Sequence, residues 1–404
     1  MRPPRHALRR RRLLQAAMAS MLPTAATGAG KGAAADAASE STVRRGRVLA
    51  FPRDHGAHPS ARIEWWYVTG WLGATATAAT AATAATAATA QFGFQVTFFR
   101  SRTGLAEGST SRFAARQILF AHAAVTDLAG RQHHHTQRIA RWSGDSAAPL
   151  ARAALDDADV RLGPWQIRRQ GGTGGTSGEL NDSATIWQLA VPGAGESVDF
   201  RLQARRTQPL LLQGEAGFSR KGPQERQASH YYSEPQLAVT GRLRRAGGEI
   251  DVSGHAWLDH EWSDEILHPE AVGWDWLGIN LLDGGALTAF RLRRADGSTL
   301  WAGGSFRPAV GAPRNFAADE VRLTPGRLWT SPATNARYPL AWTVQTPAGR
   351  FELNALLDAQ ELDSRQGTGT VYWEGLSELL DSGGRRVGLG YLEMTGYAGR
   401  LRMG

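Results

Sequence analysis

Short aromatic and β-branched runs, each ended by Gly, Asp or Pro, recur along almost the whole chain. Examples are Glu64–Leu72, Phe92–Arg100, Ile118–Asp127, Thr185–Val191, Val198–Leu202, Leu277–Leu281, Leu287–Leu292, Thr370–Gly375 and Val387–Tyr397. Several alternate apolar and polar residues, the period of a half-buried strand. No long amphipathic helix appears after the N-terminus. The pattern therefore points to an all-β chain of barrels or sandwiches. The 404 residues suggest about two domains. The 14 Trp, against 13 Phe and 7 Tyr, suggest an aromatic-lined cavity.

Composition removes several function classes. With no cysteine, disulfides, thiolate metal sites and Cys nucleophiles are excluded. The net charge of +9 is concentrated at the N-terminus, where residues 1–37 hold six arginines and Lys31 against Asp36. The rest carries 39 basic and 36 acidic residues, interleaved, which is no footprint for nucleic acid. No run of 18 apolar residues offers a membrane-spanning helix.

Residues 1–37 read as an export signal. A basic run precedes the weakly apolar Leu13–Leu22, and Ala35-Asp36-Ala37 supplies an A-x-A cleavage pattern. Arg10-Arg11-Arg12-Leu13-Leu14 resembles a twin-arginine motif, so the expected location is the periplasm. Three other segments read as structure without chemistry. The Thr-Ala-Ala tract at 74–90 has no face apolar enough to bury and reads as an expanded hairpin loop. Gly171–Gly178 lacks the strand–helix context of a phosphate loop. His133-His134-His135 reads as a solvated polar turn rather than a metal site. No metal and no cofactor is expected.

The densest chemistry lies between Ser229 and Gly285. Read as a strand, His255, Trp257, Asp259 and Glu261 share one face, and Ala256, Leu258, His260 and Trp262 the other. Trp274 and Trp276 likewise share a face opposite Asp275. Tyr231 stands upstream in Ser229-His230-Tyr231-Tyr232-Ser233. A barrel core whose polar groups bond one another is one reading; a site is the other, because so many carboxylates and imidazoles cost much to bury for packing alone. There is no G-x-S-x-G and no H-E-x-x-H.

Six motifs resemble the AttH / hydroxyneurosporene synthase family of two-domain, lipocalin-like proteins. They are Glu64-Trp65-Trp66-Tyr67, Tyr231-Tyr232-Ser233, Trp257–Ser263, Gly273-Trp274-Asp275-Trp276, Tyr372-Trp373-Glu374-Gly375 and Gly390–Tyr397. The resemblance spans roughly residues 48–402. It implies two lipocalin-like antiparallel β-barrel domains in tandem, at 48–264 and 265–402, and an eight-stranded barrel can enclose a small apolar ligand. It also implies two kinds of function. The exported AttH-type branch suggests a periplasmic protein that binds or handles a lipid or other long hydrophobic molecule, beside ABC-transporter components. The carotenoid 1,2-hydratases suggest the alternative, a cofactor-independent lyase adding water to an isoprenoid alkene.

Such hydration starts by protonating the alkene. It needs an acid in an apolar pocket, π faces for the cation and one positioned water. Asp259, His260 and Asp275 are the candidate donors, and Trp257, Trp262, Trp274 and Trp276 the candidate walls. The related hydratases imply a His, Trp, Tyr and Asp set, to which His260, Trp262, Tyr231 and Asp275 are assigned.

Overall fold

The computed structural model describes residues 42–401, without 76–89, 106, 112, 145–149, 172–181, 194–196, 246–247, 266 and 366. The export signal at 1–37, nearly all of the Thr-Ala-Ala tract and all but the first residue of the Gly-rich loop lie outside the described residues.

The first antiparallel sheet comprises β1 (Ile63–Ala74), β2 (Phe92–Arg102), β3 (Gln117–Asp127), β4 (Gln132–Trp142), β5 (Ala151–Ala153), β6 (Asp159–Leu162), β7 (Trp165–Gln170), β8 (Ile186–Val191), β9 (Phe200–Arg205), β10 (Leu211–Leu212), β11 (Phe218–Arg220), β12 (Ala228–Arg245) and β13 (Gly248–Ser263). Its order is β4-β3-β2-β1-β13-β12-β9-β8-β7-β6-β5, with β10 and β11 also on β12. The end strands β4 and β5 touch, which nearly closes a barrel. The expected turn at His133–His135 is instead the start of β4, paired with β3 through Thr126 opposite His133. Cross-strand pairing overrides the polar composition there, and the turn falls at Leu128–Arg131.

The second sheet comprises β14 (Ala271–Leu281), β15 (Ala286–Arg294), β16 (Thr299–Arg307), β17 (Arg314–Phe316), β18 (Arg322–Pro325), β21 (Ala341–Thr346), β22 (Gly349–Ala355), β23 (Glu361–Ser364), β24 (Thr370–Leu380) and β25 (Arg386–Thr395). A separate ribbon pairs β19 (Leu328–Thr330) with β20 (Arg337–Pro339). The fold is all-β, and the one helical turn named among the described residues is a 3-10 turn at Arg53–His55.

Strand alternation builds three cores. Trp66, Val68 and Leu72 of β1 point into the first sheet with Phe94, Phe98, Trp165, Trp187 and Trp262. Leu277 and Ile279 of β14 point into the second with Trp342 and Trp373. The third core lies between the sheets and joins Tyr67, Trp71 and Trp257 to Trp276, Phe290 and Tyr391. Gly278 makes this packing possible, since a Cβ there would lie 2.4 Å from the Trp276 indole and 3.2 Å from that of Trp257.

The sheets are also pinned by polar bonds. A register shift in β12 between Glu234 and Leu237 puts Gln236 in the left-handed region at φ 57°. That bulge turns Gln236 outward. Its backbone N–H donates to Asn280 Oδ1 at 2.8 Å, and its amide donates to the carbonyls of Leu281 and Gly285 at 2.8 and 2.7 Å.

Candidate active site

The expected place for a ligand was the inside of a barrel. The inside of the first sheet is instead packed with tryptophans, and a pocket of about 100 Å³ opens between the two sheets. Its floor on the first sheet is set by register. His122, Thr97, Tyr67, Asp259 and Ser233 stand side by side across β3, β2, β1, β13 and β12. The next row reads Phe120, Phe99, Trp65, Glu261 and Tyr231. The second sheet faces them with Phe290, Trp276, Glu393 and Glu374 across β15, β14, β25 and β24.

Asp259 is the best-held carboxyl. Tyr231 Oη donates to its Oδ2 at 2.7 Å, while Ser233 Oγ and Trp257 Nε1 donate to Oδ1 at 2.5 and 2.7 Å. Burial pushes its pKa up to about 7, against the pull of those three donors. Across the pocket, burial and the neighbouring Glu393 raise Glu374 well above the ordinary carboxylate range. Burial also raises Glu393 to about 7, with Asp259 and Glu261 adding repulsion. Gln95 Nε2 donates to Glu374 Oε2. Lys221 is the nearby cation: its Nζ lies 3.0 Å from Glu261 and sits over the Tyr231 and Phe290 rings at 4.6 and 4.3 Å. The result is an aromatic pocket with carboxyls poised to exchange protons near neutrality.

Of the residues singled out in the sequence, Asp259, Tyr231, Trp274 and Trp276 line this pocket. Trp257 supports it through its bond to Asp259. The other three point away. His260 and Trp262 face the interior of the first sheet, as the alternation of β13 requires. Asp275 faces away from Trp274 and Trp276. It accepts from Arg291 Nε at 2.7 Å and Tyr397 Oη at 2.9 Å, a structural ion pair. Lys221, Tyr67, Gln95, Glu374 and Glu393 join Asp259 and Tyr231 in or around the pocket, although no spacing in the sequence singles them out. Glu374 and Glu393 sit in two of the resemblance motifs, which was the available signal.

The inner face of β13 holds a second polar cluster. Glu64 Oε1 accepts from His58 Nδ1 at 2.7 Å and His260 Nε2 at 3.0 Å, and Oε2 accepts from Arg100 Nε at 2.7 Å. His58 Nε2 lies 2.9 Å from Asp54 Oδ1, so the ring bridges the two carboxylates. Its ring stacks on Trp262 at 3.7 Å. His260 Nδ1 lies 3.1 Å from Tyr232 Oη, which lies 2.6 Å from His55 Nδ1. Burial alone would raise Glu64, but His58 and Arg100 hold it well below its usual range. His58, Glu64 and His260 offer three ligand atoms within 4.8 Å of one another. Those atoms bond each other directly, and Arg100 already supplies a positive charge.

Fold and pocket together define a class: tandem, lipocalin-like β proteins whose polar–aromatic pocket lies between two sheets. The family model described as AttH-like matches residues 42–397, and the chain belongs to that family. It is similar to the AttH protein of Nitrosomonas europaea, at 42% identity over 88% of this chain and 99% of that one, with a TM-score of 0.74. Kievitone hydratase of Nectria haematococca shares the fold at 15% identity, over 87% of this chain and 94% of that one, with a TM-score of 0.61. No curated protein sequence matches.

Proposed function

We propose that the chain is a cofactor-independent acid–base lyase of the hydratase type, acting on an alkene carried by a hydrophobic molecule that enters between the sheets. The observation that carries this is Asp259: a carboxyl raised to about 7, bonded to Tyr231 and facing tryptophans. Hydration needs an acid kept protonated in an apolar setting, a carboxyl titrating near neutrality to exchange a proton with the attacking water, and π faces with a counter-charge for the cation between the two steps. Trp65, Trp274, Trp276, Phe99 and Phe290 supply the faces. Kievitone hydratase, a hydratase by name, has the same fold. The size of the pocket suits one short branched segment of a longer ligand.

The carrier reading uses the same pocket. What favours it is the half-exposed indoles of Trp65 and Trp274 among the lining residues. It takes with it export by the twin-arginine route and work beside an ABC transporter. A reporter fused after residue 45 tests the export step.

One experiment separates the two. The five-carbon alkene 2-methyl-2-butene is incubated with the protein in ¹⁸O-water and the products are read by gas chromatography–mass spectrometry. The lyase gives ¹⁸O-labelled 2-methyl-2-butanol well above a protein-free blank. Alkene recovered unchanged, together with a lipid in mass spectra of native extracts, gives the carrier.

A further inference from the structure

Three polar atoms in one corner of the pocket are buried without a hydrogen bond of ordinary geometry: Tyr67 Oη, Gln95 Oε1 and Glu374 Oε1, with Tyr67 and Glu374 facing each other. Buried polar atoms in native proteins are almost always paired, so a group of orphans marks where a reacting or bridging group sits. Glu374 is 1% exposed and lines the pocket. Its two oxygens are inequivalent. Oε2 accepts the Gln95 amide, as the carbonyl oxygen of a carboxylic acid does, and Oε1 makes no hydrogen bond of ordinary geometry, with the Tyr67 hydroxyl as the carboxyl's neighbour. Asp259, on the opposite sheet, is the reverse case: both its oxygens accept hydrogen bonds, a setting built for an anion.

We propose that Glu374 delivers the proton to the alkene, and that Asp259 takes the proton released by the attacking water from the other side of the pocket. This deepens the hydratase reading and rests on it. The Glu374 O–H bond breaks as the π pair of the alkene forms a C–H bond, leaving a cation at the more substituted carbon. A lone pair of water closes on that carbon, and one water proton passes to the Asp259 carboxylate. Glu374 has lost a proton and Asp259 has gained one; exchange with solvent restores both. The titratable neighbours fit these roles. Glu374 faces Glu393 across β25 and Tyr67 on β1, with Tyr372 on its own strand. Asp259 faces Tyr231 on β12, with Glu261 on its own strand and Glu393 opposite.

The test is the pH profile of 2-methyl-2-butene hydration in wild type and Glu374→Gln, beside infrared difference spectra of the two proteins at pH 7.5. With Asp259 as base, the wild-type rate rises as pH passes about 7. A rate that falls through that range makes Asp259 the donor and overturns the proposal while the hydratase reading stands. Glu374→Gln should lower turnover about 100-fold or more. The infrared spectra need no substrate: wild type should show a protonated-carboxyl C=O band at pH 7.5 that is weakened in Glu374→Gln, the remainder coming from Asp259 and Glu393, and an unchanged band overturns the proposal. Absence of the band from wild type overturns it too, even where no hydration is seen.

Discussion

Two buried polar clusters lie back to back on β13, and they settle their charges in opposite ways. On the inner face, Glu64 is bonded to His58, His260 and Arg100, and Asp54 to His58 and Arg47. Each of these carboxylates meets a cation or an N–H, and both are held below their usual range once those partners outweigh burial. On the outer face, Asp259, Glu374 and Glu393 have no arginine, and burial drives them upward. Burial is similar on both sides; partnership differs. A network whose charges are matched stabilises a fold, whereas buried carboxyls without a cation cost stability and persist where they perform chemistry.

The sharpest way to break this contrast is Glu64→Gln. It leaves Arg100 buried without its counter-charge and should cost about 3–5 kcal/mol in chemical denaturation. A loss under about 1 kcal/mol would mean that the inner cluster is not structural.

A second effect is the pH dependence of stability. Asp259 rises on folding from 3.8 to about 7, so the folded state binds its proton more tightly. Its contribution is fully present below about 3.8 and is lost as pH climbs to about 7. Glu64 is depressed, so its contribution is present above its usual 4.5 and lost as pH falls through its lowered value. Asp259→Asn should therefore remove a decline in stability between about pH 4 and 7, on the order of 4 kcal/mol. Identical pH profiles for the variant and wild type would contradict the raised value.

The smallest expected effect is at Lys221, whose side chain is 22% exposed beside Glu261. Lys221→Met should change stability by under about 1 kcal/mol. A larger loss in unfolding experiments would move Lys221 from the pocket lining into the structural network.

The sequence carried the two-faced character of β13 and β14, because a period of two in Gly254–Ser263 and Gly273–Gly278 separates side chains without any knowledge of neighbours. It therefore separated Asp259 from His260 and Trp276 from Asp275. It did not say which face met the second sheet, so His260, Trp262 and Asp275 were assigned to the site along with the residues that line it. Glu374 and Glu393 belong to strands that reach the pocket only through pairing far along the chain. His58 and Asp54 enter the inner cluster from a short irregular segment with no periodic signal. The short polar strands between Arg314 and Pro339 left no alternating pattern to read.

Asp259 and His260 are consecutive residues, and comparing them tests the central claim most directly. Asp259→Asn and His260→Gln are each measured for thermal unfolding and for 2-methyl-2-butene hydration per folded molecule. The account predicts that Asp259→Asn unfolds no lower than wild type at pH 7 and loses turnover about 100-fold or more, and that His260→Gln loses about 1–3 kcal/mol of stability and keeps its turnover. The reverse pattern, with activity lost at His260 and stability lost at Asp259, would place the chemistry on the inner face and contradict the account.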